Sequence, residues 1–325
     1  MNVCSLSTVA ALAITGAALP AATSAQNYPT KSIRLIVPFP PGGSTDLMGR
    51  VLGAKLGEAF GHQVVVENRP GASGMIGNEL VARAVPDGYM LTLGTIGAMS
   101  VNPSLFKSMP YDSTRDFAPI TLTGNVENLL VVHPSVPAHN VQDLIALAAS
   151  KPGILIFASS GTGNAPHLAG ELFNQLAKVK MVHLPYKGGG PAIIDLMSGQ
   201  VSLSFASMPS SLPFAKSGKL RALAVGGAKR SPAAPEIPTV AENGLPGFEI
   251  TDWQGLLAPA KTPVAVVERL NRETLRILNE RDVKERLAAA GLQVVTTTPV
   301  QFADFIRAEI DKWGKVIRYA GIKPE

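Results

Sequence analysis

A chain that contains the segment Ile33 to Gly57, IRLIVPFPPGGSTDLMGRVLGAKLG, has few folds open to it. Ile33, Leu35, Ile36 and Val37 make an apolar run of the kind that fills a buried parallel strand. Pro38, Pro40 and Pro41 stop it, because proline lacks the amide that a sheet ladder uses. Beyond the loop, Leu47, Met48, Val51, Leu52, Leu56 and Phe60 recur at spacings of three and four, the stripe of a helix laid on a sheet. Gly42 and Gly43 turn the backbone sharply, Ser44 or Thr45 can cap, and the first-turn amides then point at whatever lies above the loop. That is an anion seat, but a glycine turn also serves as a plain connector, so a second seat is needed to decide.

The chain order supplies one. His62 to Glu67 reads as a second strand, Asn68 to Gly74 as a loop, Met75 to Ala84 as a helix and Tyr89 to Gly94 as a third strand. Right-handed crossovers in such a β-α-β-α-β unit put the loops after the strands on one edge, so Gly42, Gly43, Gly71, Gly74 and Thr95 are expected on one rim. Asp116 to Pro134 carries two apolar runs joined by Gly124-Asn125, with no helix following at once, and reads as a crossover out of this unit. After a short helix over Val141 to Ala149, the strand Ile154 to Ala158 runs into Ser159-Ser160-Gly161-Thr162-Gly163-Asn164-Ala165-Pro166-His167. Asn164 can cap, Pro166 suits a first helical turn, and Leu168, Leu172, Phe173 and Leu176 form the stripe that follows. This is the first unit's logic repeated.

Strands at Met181 to Leu184, Val201 to Phe205 and Leu220 to Val225, with a helix over Ala192 to Met197, complete the second unit. Phe248 to Leu257 reads as a return crossover, followed by helices from Val264, a short strand at Val294-Val295 and a last helix over Phe302 to Tyr319. A chain of 325 residues is too long for most single cores. The expected division is a leader over 1–25, a discontinuous lobe over 26–124 plus 248–325, and a second lobe over 125–247.

The leader is expected because the first 25 residues carry no Asp, Glu, Lys or Arg, Val9 to Leu19 is apolar, and Thr23-Ser24-Ala25 places small residues ahead of Gln26. The apolar run is shorter than the ~20 residues a membrane-spanning helix needs. Cys4, the one cysteine, would leave with it, and a mature chain without thiols has neither disulfides nor thiolate metal sites. The net charge of +5 is scattered, with no basic run or aromatic-basic stripe, so nucleic acid is not an expected partner.

Several chemistries are missing from the sequence. There is no G-x-S-x-G, no H-E-x-x-H, no Walker A and no complete G-x-G-x-x-G, and His62, His133, His139, His167 and His183 show no ligand spacing. Two donor-rich loops remain, one per lobe, and a carboxylate between them would accept amides and the hydroxyls of Ser44, Thr45, Ser160 and Thr162. Asp46 either faces the ligand or simply suits its helix N-terminus, and His167 either donates to an anion or steadies its own turn. Trp253 either walls the cleft or packs at the hinge, with its place between the lobes tilting the reading to the cleft.

Six segments taken in order resemble the Bug family of periplasmic solute-binding proteins, the extracytoplasmic receptors associated with tripartite tricarboxylate transporters. They are Val37-Pro38-Phe39 with Pro41-Gly42-Gly43 and Asp46, Val66-Glu67-Asn68-Arg69-Pro70-Gly71-Ala72, Pro86-Asp87-Gly88-Tyr89, Ser160-Gly161-Thr162-Gly163 with His167 to Glu171, Pro185-Tyr186-Lys187-Gly188, and Pro238-Thr239-Val240-Ala241-Glu242. The resemblance implies an α/β, two-lobed type II periplasmic binding protein fold, with a hinge of two crossover segments and a cleft that grips a small carboxylate. It implies ligand contacts from Phe39, Pro41, Gly42, Gly43 and Asp46 in the first lobe and from Ser159, Gly161, Thr162, Gly163, Asn164 and His167 in the second, with Thr95 on the rim. The family commonly shows two aspartates between Gly199 and Pro209, where Ser202 and Ala206 stand here, so the ligand expected over Ala206 bears carboxylates and no amine.

The expected protein is therefore a monomeric periplasmic receptor that hands an organic acid to the membrane permease subunits of a tripartite transporter, without cofactor, metal or catalytic residues. A ligand sensor for a membrane kinase is the alternative, and a carboxylate-processing enzyme using Asp46 or His167 as base is the remoter one.

Overall fold

The structure, a computed structural model, describes Met1 and residues 27–250 and 252–319, so the expected leader lies almost wholly outside the described residues. In chain order the first part contains β1 (Ile33–Val37), α1 (Ser44–Phe60), β2 (Val64–Asn68), α2 (Met75–Ala82), β3 (Met90–Thr95), α3 (Asn102–Leu105) and β4 (Phe117–Val126). Next come β5 (Asn128–Val132), α4 (Val141–Ser150), β6 (Ile156–Ser159), α5 (Ala165–Ala177), β7 (Val182–Pro185), α6 (Gly189–Met197), β8 (Leu203–Ser207), α7 (Met208–Lys216) and β9 (Arg221–Val225). The chain closes with β10 (Asp252–Pro259), α8 (Val264–Leu278), α9 (Arg281–Ala289), β11 (Leu292–Gln293) and α10 (Pro299–Tyr319).

Among the described residues these strands form two sheets, ordered β11-β4-β10-β3-β1-β2 and β7-β6-β8-β5-β9. Strands joined through helices pair in parallel: β1 with β2 and β3, and β6 with β7 and β8. Strands that enter from the other sheet run antiparallel, β10 between β3 and β4 and β5 between β8 and β9. The chain passes from the first sheet to the second across Glu127 alone, and after β9 it returns to the first sheet as β10. The register at that junction places Asp252 opposite Val126 and Gln254 opposite Thr95. The start of β10 is thus tied to the crossover and to the rim of β3.

The helical stripe of α1 buries Met48, Val51, Leu52 and Leu56 on the first sheet, and Gly49 lets it approach closely. A Cβ at Gly49 would meet the Val37 side chain at 2.6 Å. Two sequence expectations give way, and one helix is added. Trp253 is fully buried and turned from the cleft: its Nε1 donates to Glu309 Oε2 at 3.2 Å, and its ring meets Phe302 and Phe305 edge-on under α10. Strand alternation explains this, since Trp253 must face opposite to Asp252 and Gln254. The short late strand is Leu292–Gln293 and not Val294-Val295, because Leu292 and Gln293 are the residues that pair with Val126 and Asn125. Helix α7 was not expected, since Pro209 and Pro213 disguise its pattern.

Candidate functional site

The loop after β1 is braced from within. Gly42, at φ +89°, donates its amide to Asp46 Oδ2 at 3.1 Å. Arg50 Nε donates to the same oxygen at 2.9 Å, and Asn68 Nδ2 donates to Asp46 Oδ1 and to the Phe39 carbonyl, both at 2.9 Å. Burial opposes ionisation of Asp46, but the hydrogen bonds from Arg50, Asn68 and Gly42 hold its carboxyl below its ordinary range. These contacts make Asp46 the buried anchor of the loop. Helix α1 then starts at Ser44 with Gly43 as its cap residue and no side-chain cap. The hydroxyls of Ser44 and Thr45 instead accept from Gln254 Nε2 at 2.9 and 3.3 Å.

The loop after β6 is held differently. Ser159 Oγ bonds His183 Nε2 at 2.7 Å, donates to the Gly161 carbonyl at 3.1 Å and accepts the Gly161 amide at 3.2 Å. Gly163 donates its amide to His167 Nδ1 at 3.0 Å, and the His167 and His183 rings stack with centroids 3.8 Å apart. Burial pushes His167 down to about 4, and burial with the neighbouring His167 pushes His183 down to about 3, so both rings are neutral at neutral pH. His167 thus steadies its own turn. Asn164 occupies the cap position of α5 but makes no side-chain cap bond.

Between the two loops lies a cavity lined from both lobes. Phe39, Pro40, Gly43, Ser44, Thr45 and Thr95 form one wall, and Ser160, Asn164, Ala165, Pro166, Gly189 and Ala192 the other. Ser204, Ala206, Ser207 and Asp252 line the remainder. Of the residues expected at the ligand, Phe39, Gly43, Thr95, Asn164 and Ala206 therefore lie on the cavity. Pro41, Gly42, Gly161, Thr162 and Gly163 in the two loops, Asp46 in the first turn of α1, Ser159 at the end of β6 and His167 in the first turn of α5 are not part of this lining.

The cavity has an uneven electrostatic character. Among the described residues no lysine, arginine or histidine lines it, yet the N-termini of α1, α5 and α6 all reach it, at Ser44, Ala165 and Gly189. Unpaired first-turn amides carry partial positive charge, so three converging helix ends attract an anion without a cation. Asp252, the one ionisable side chain in the lining, was not anticipated: its place in the apolar-looking FEITDWQGLL gives no hint, and only strand alternation beside Trp253 turns it inward.

The lobes touch closely around this cavity. A Cβ at Gly97 would lie 2.1 Å from Asn164 Oδ1, one at Gly163 2.6 Å from Leu105 Cδ1, and one at Gly188 2.3 Å from Pro40 Cδ. Each pair joins one lobe to the other, so the packing is that of closed lobes and tolerates only bare backbone at these points.

Comparison with known proteins places the chain in context. Residues 48–322 match the model of the tripartite tricarboxylate transporter family receptor. The chain is 40% identical over 324 residues to Protein BugT of Bordetella pertussis, covering 99% of each chain. Among solved structures, it is similar to R. palustris Rpa4515 with adipate at 37% identity and a TM-score of 0.89, covering 92% of this chain and all of that one. MatC from Rhodopseudomonas palustris with bound malate is 32% identical, with a TM-score of 0.84 and coverage of 89% of this chain and all of that one.

Proposed function

The chain belongs to the tripartite tricarboxylate transporter receptor family, and from that premise we propose that its two lobes close on a small organic acid held in the cavity between them. The observation that carries this reading is the convergence of three helix N-termini on a cavity that, among the described residues, offers hydroxyls and no basic side chain. One carboxylate satisfies the amides, and the closed lobes exclude the water that would screen the interaction. The adipate and malate held by relatives of the same fold support a dicarboxylate as ligand.

The rest of the cycle follows from the architecture. We place the first lobe at 26–124 plus 248–325 and the second at 125–247, with the flexing connections at Glu127, between β4 and β5, and at the re-entry of the chain into β10. The ligand stabilises the closed form by contacts it makes with both lobes at once. A monomeric receptor exported with cleavage after Ala25 then delivers the acid to the membrane permease subunits, by binding alone. Small-angle scattering tests the closure: addition of malate or adipate should contract the apo protein. An unchanged scattering profile at saturating acid would remove the closing receptor from consideration.

A further inference from the structure

Asp252 begins β10 at the hinge end of the cavity, opposite Val126 and one residue from the Glu127 crossover. It shares a strand face with Gln254, which holds the hydroxyls of Ser44 and Thr45 at the start of α1. A strand rises ~3.3 Å per residue, so Asp252 stands ~7 Å along β10 from the residue that marks the α1 seat, toward the Glu127 crossover. Ser207 and Ala206 lie on the same floor of the cavity. Among the described residues no hydrogen bond or ion pair engages the Asp252 carboxyl.

We propose that Asp252, in its acid form, is the specificity determinant for the far carboxylate of a linear dicarboxylate, donating its proton across an O–H···O hydrogen bond while the near carboxylate sits on the helix N-termini. This rests on the carboxylate-receptor reading above and deepens it. Among the described residues the lining offers no cationic side chain to neutralise a second carboxylate, so an ionised Asp252 would repel it and a protonated one attracts it. Burial already pushes this carboxyl up to about 7, and an incoming anion raises it further. Binding a dianion from an ionised site therefore takes up one proton from solvent, which stays on the pair of facing carboxyls.

The surrounding charges do not offer another partner. On the elements packed against β10 and at the crossover, Asp46 is bonded to Arg50, Glu79 pairs with Arg83 at 2.7 Å, and Glu127 accepts from Gln293 Nε2. Glu309, on the reverse face of β10, takes both Trp253 and Trp313. None of these side chains lines the cavity.

The test is calorimetric titration of the full mature protein with adipate and with hexanoate between about pH 6.5 and about pH 9, where both probes are fully ionised, in two buffers of different ionisation enthalpy. Adipate affinity should fall about tenfold per pH unit above the Asp252 range, with uptake of close to one proton, while hexanoate stays flat. Asp252→Asn, whose amide donates at every pH, should bind adipate without pH dependence and more tightly than the wild type at the alkaline end. The wild-type proton count decides the matter even where the variant misfolds. Adipate binding that is flat in pH and releases or takes up no proton overturns the role of Asp252 and leaves the carboxylate receptor standing. Preference for 6-aminohexanoate with affinity rising with pH overturns it too, because an ionised Asp252 is then reading an ammonium. Failure of every acid to bind overturns the receptor reading itself.

Discussion

Alanine at Gly188 should weaken ligand binding by keeping the lobes apart. Its Cβ would come within 2.3 Å of Pro40 Cδ and 2.6 Å of Pro40 Cγ, ring atoms with no room to swing away. Overpacking of this kind costs about 1 to 3 kcal/mol, and it falls on the closed form alone because the Pro40 contact spans the lobes. Converted to affinity, that is a loss of roughly fivefold to 150-fold. The backbone at φ +136° adds strain of about 1 to 3 kcal/mol, but open and closed forms both carry it, so it lowers the melting temperature and leaves Kd alone. Gly153→Ala is the control: it has φ +77° with no atom within 4 Å of the new Cβ, and should melt earlier yet bind normally. Calorimetric Kd values for Gly188→Ala, Pro40→Ala and the pair make a double-mutant cycle. Truncating Pro40 removes both clashing carbons, so a coupling of at least about 1 kcal/mol is expected. Wild-type affinity for Gly188→Ala, or additive losses in the cycle, would refute closure through this contact.

Other perturbations separate anchors from contacts. Asp46→Ala strips the partners from Gly42, Arg50 and Asn68 and should cost about 1 to 3 kcal/mol in a denaturant titration, with weaker binding as the loop loosens; an unchanged midpoint would deny it the bracing role. Trp253→Phe should lower stability by about 1 kcal/mol through loss of the Glu309 bond without altering Kd, and a changed Kd would return Trp253 to the cleft. His167 and His183 have folded values of about 4 and about 3, below the unfolded value of ~6.5, so the unfolded chain takes up protons first. Stability should therefore fall as pH drops from ~6.5 toward these values and level off below them, and ring NMR signals titrating near neutrality would contradict this. Glu67, pulled down to about 2 mainly by its hydrogen bond from Arg34, contributes stability above its unfolded value of ~4.3. That contribution should disappear as pH falls toward about 2, and acid unfolding curves identical in wild type and Glu67→Gln would count against it.

Much of this architecture could be read in the residues because local pattern and global fold agree. Proline stops, glycine turns and stripes of three and four placed the strand-loop-helix units of both lobes within a few residues of where they lie. The anion seats were legible because glycine and small polar residues at a strand end have few other uses. Less was visible where tertiary pairing decides. The direction of Trp253 and Asp252 depends on which face of β10 meets α10, and no local signal fixes that. Helix α7 was hidden by Pro209 and Pro213, and the short strand near Val294 shifts to Leu292–Gln293 because Val126 and Asn125 set the register. The loop residues illustrate a further limit. Asp46, Ser159 and His167 have the chemistry of ligand contacts, and each also makes hydrogen bonds that brace its own segment, a second role that residue type alone does not reveal. Asp252 carries no local signature, and only the assembled cavity brings it to notice.

The ligand proposed for this protein is a carboxylate held between the two lobes. Isothermal titration of the protein purified from the periplasm, against a panel of mono-, di- and tricarboxylates together with uncharged compounds of matched size, tests it most directly. Saturable one-site binding of at least one acid, with its uncharged amide counterpart inert, is the expected result. Binding of an uncharged or apolar compound with no response to any acid would contradict it.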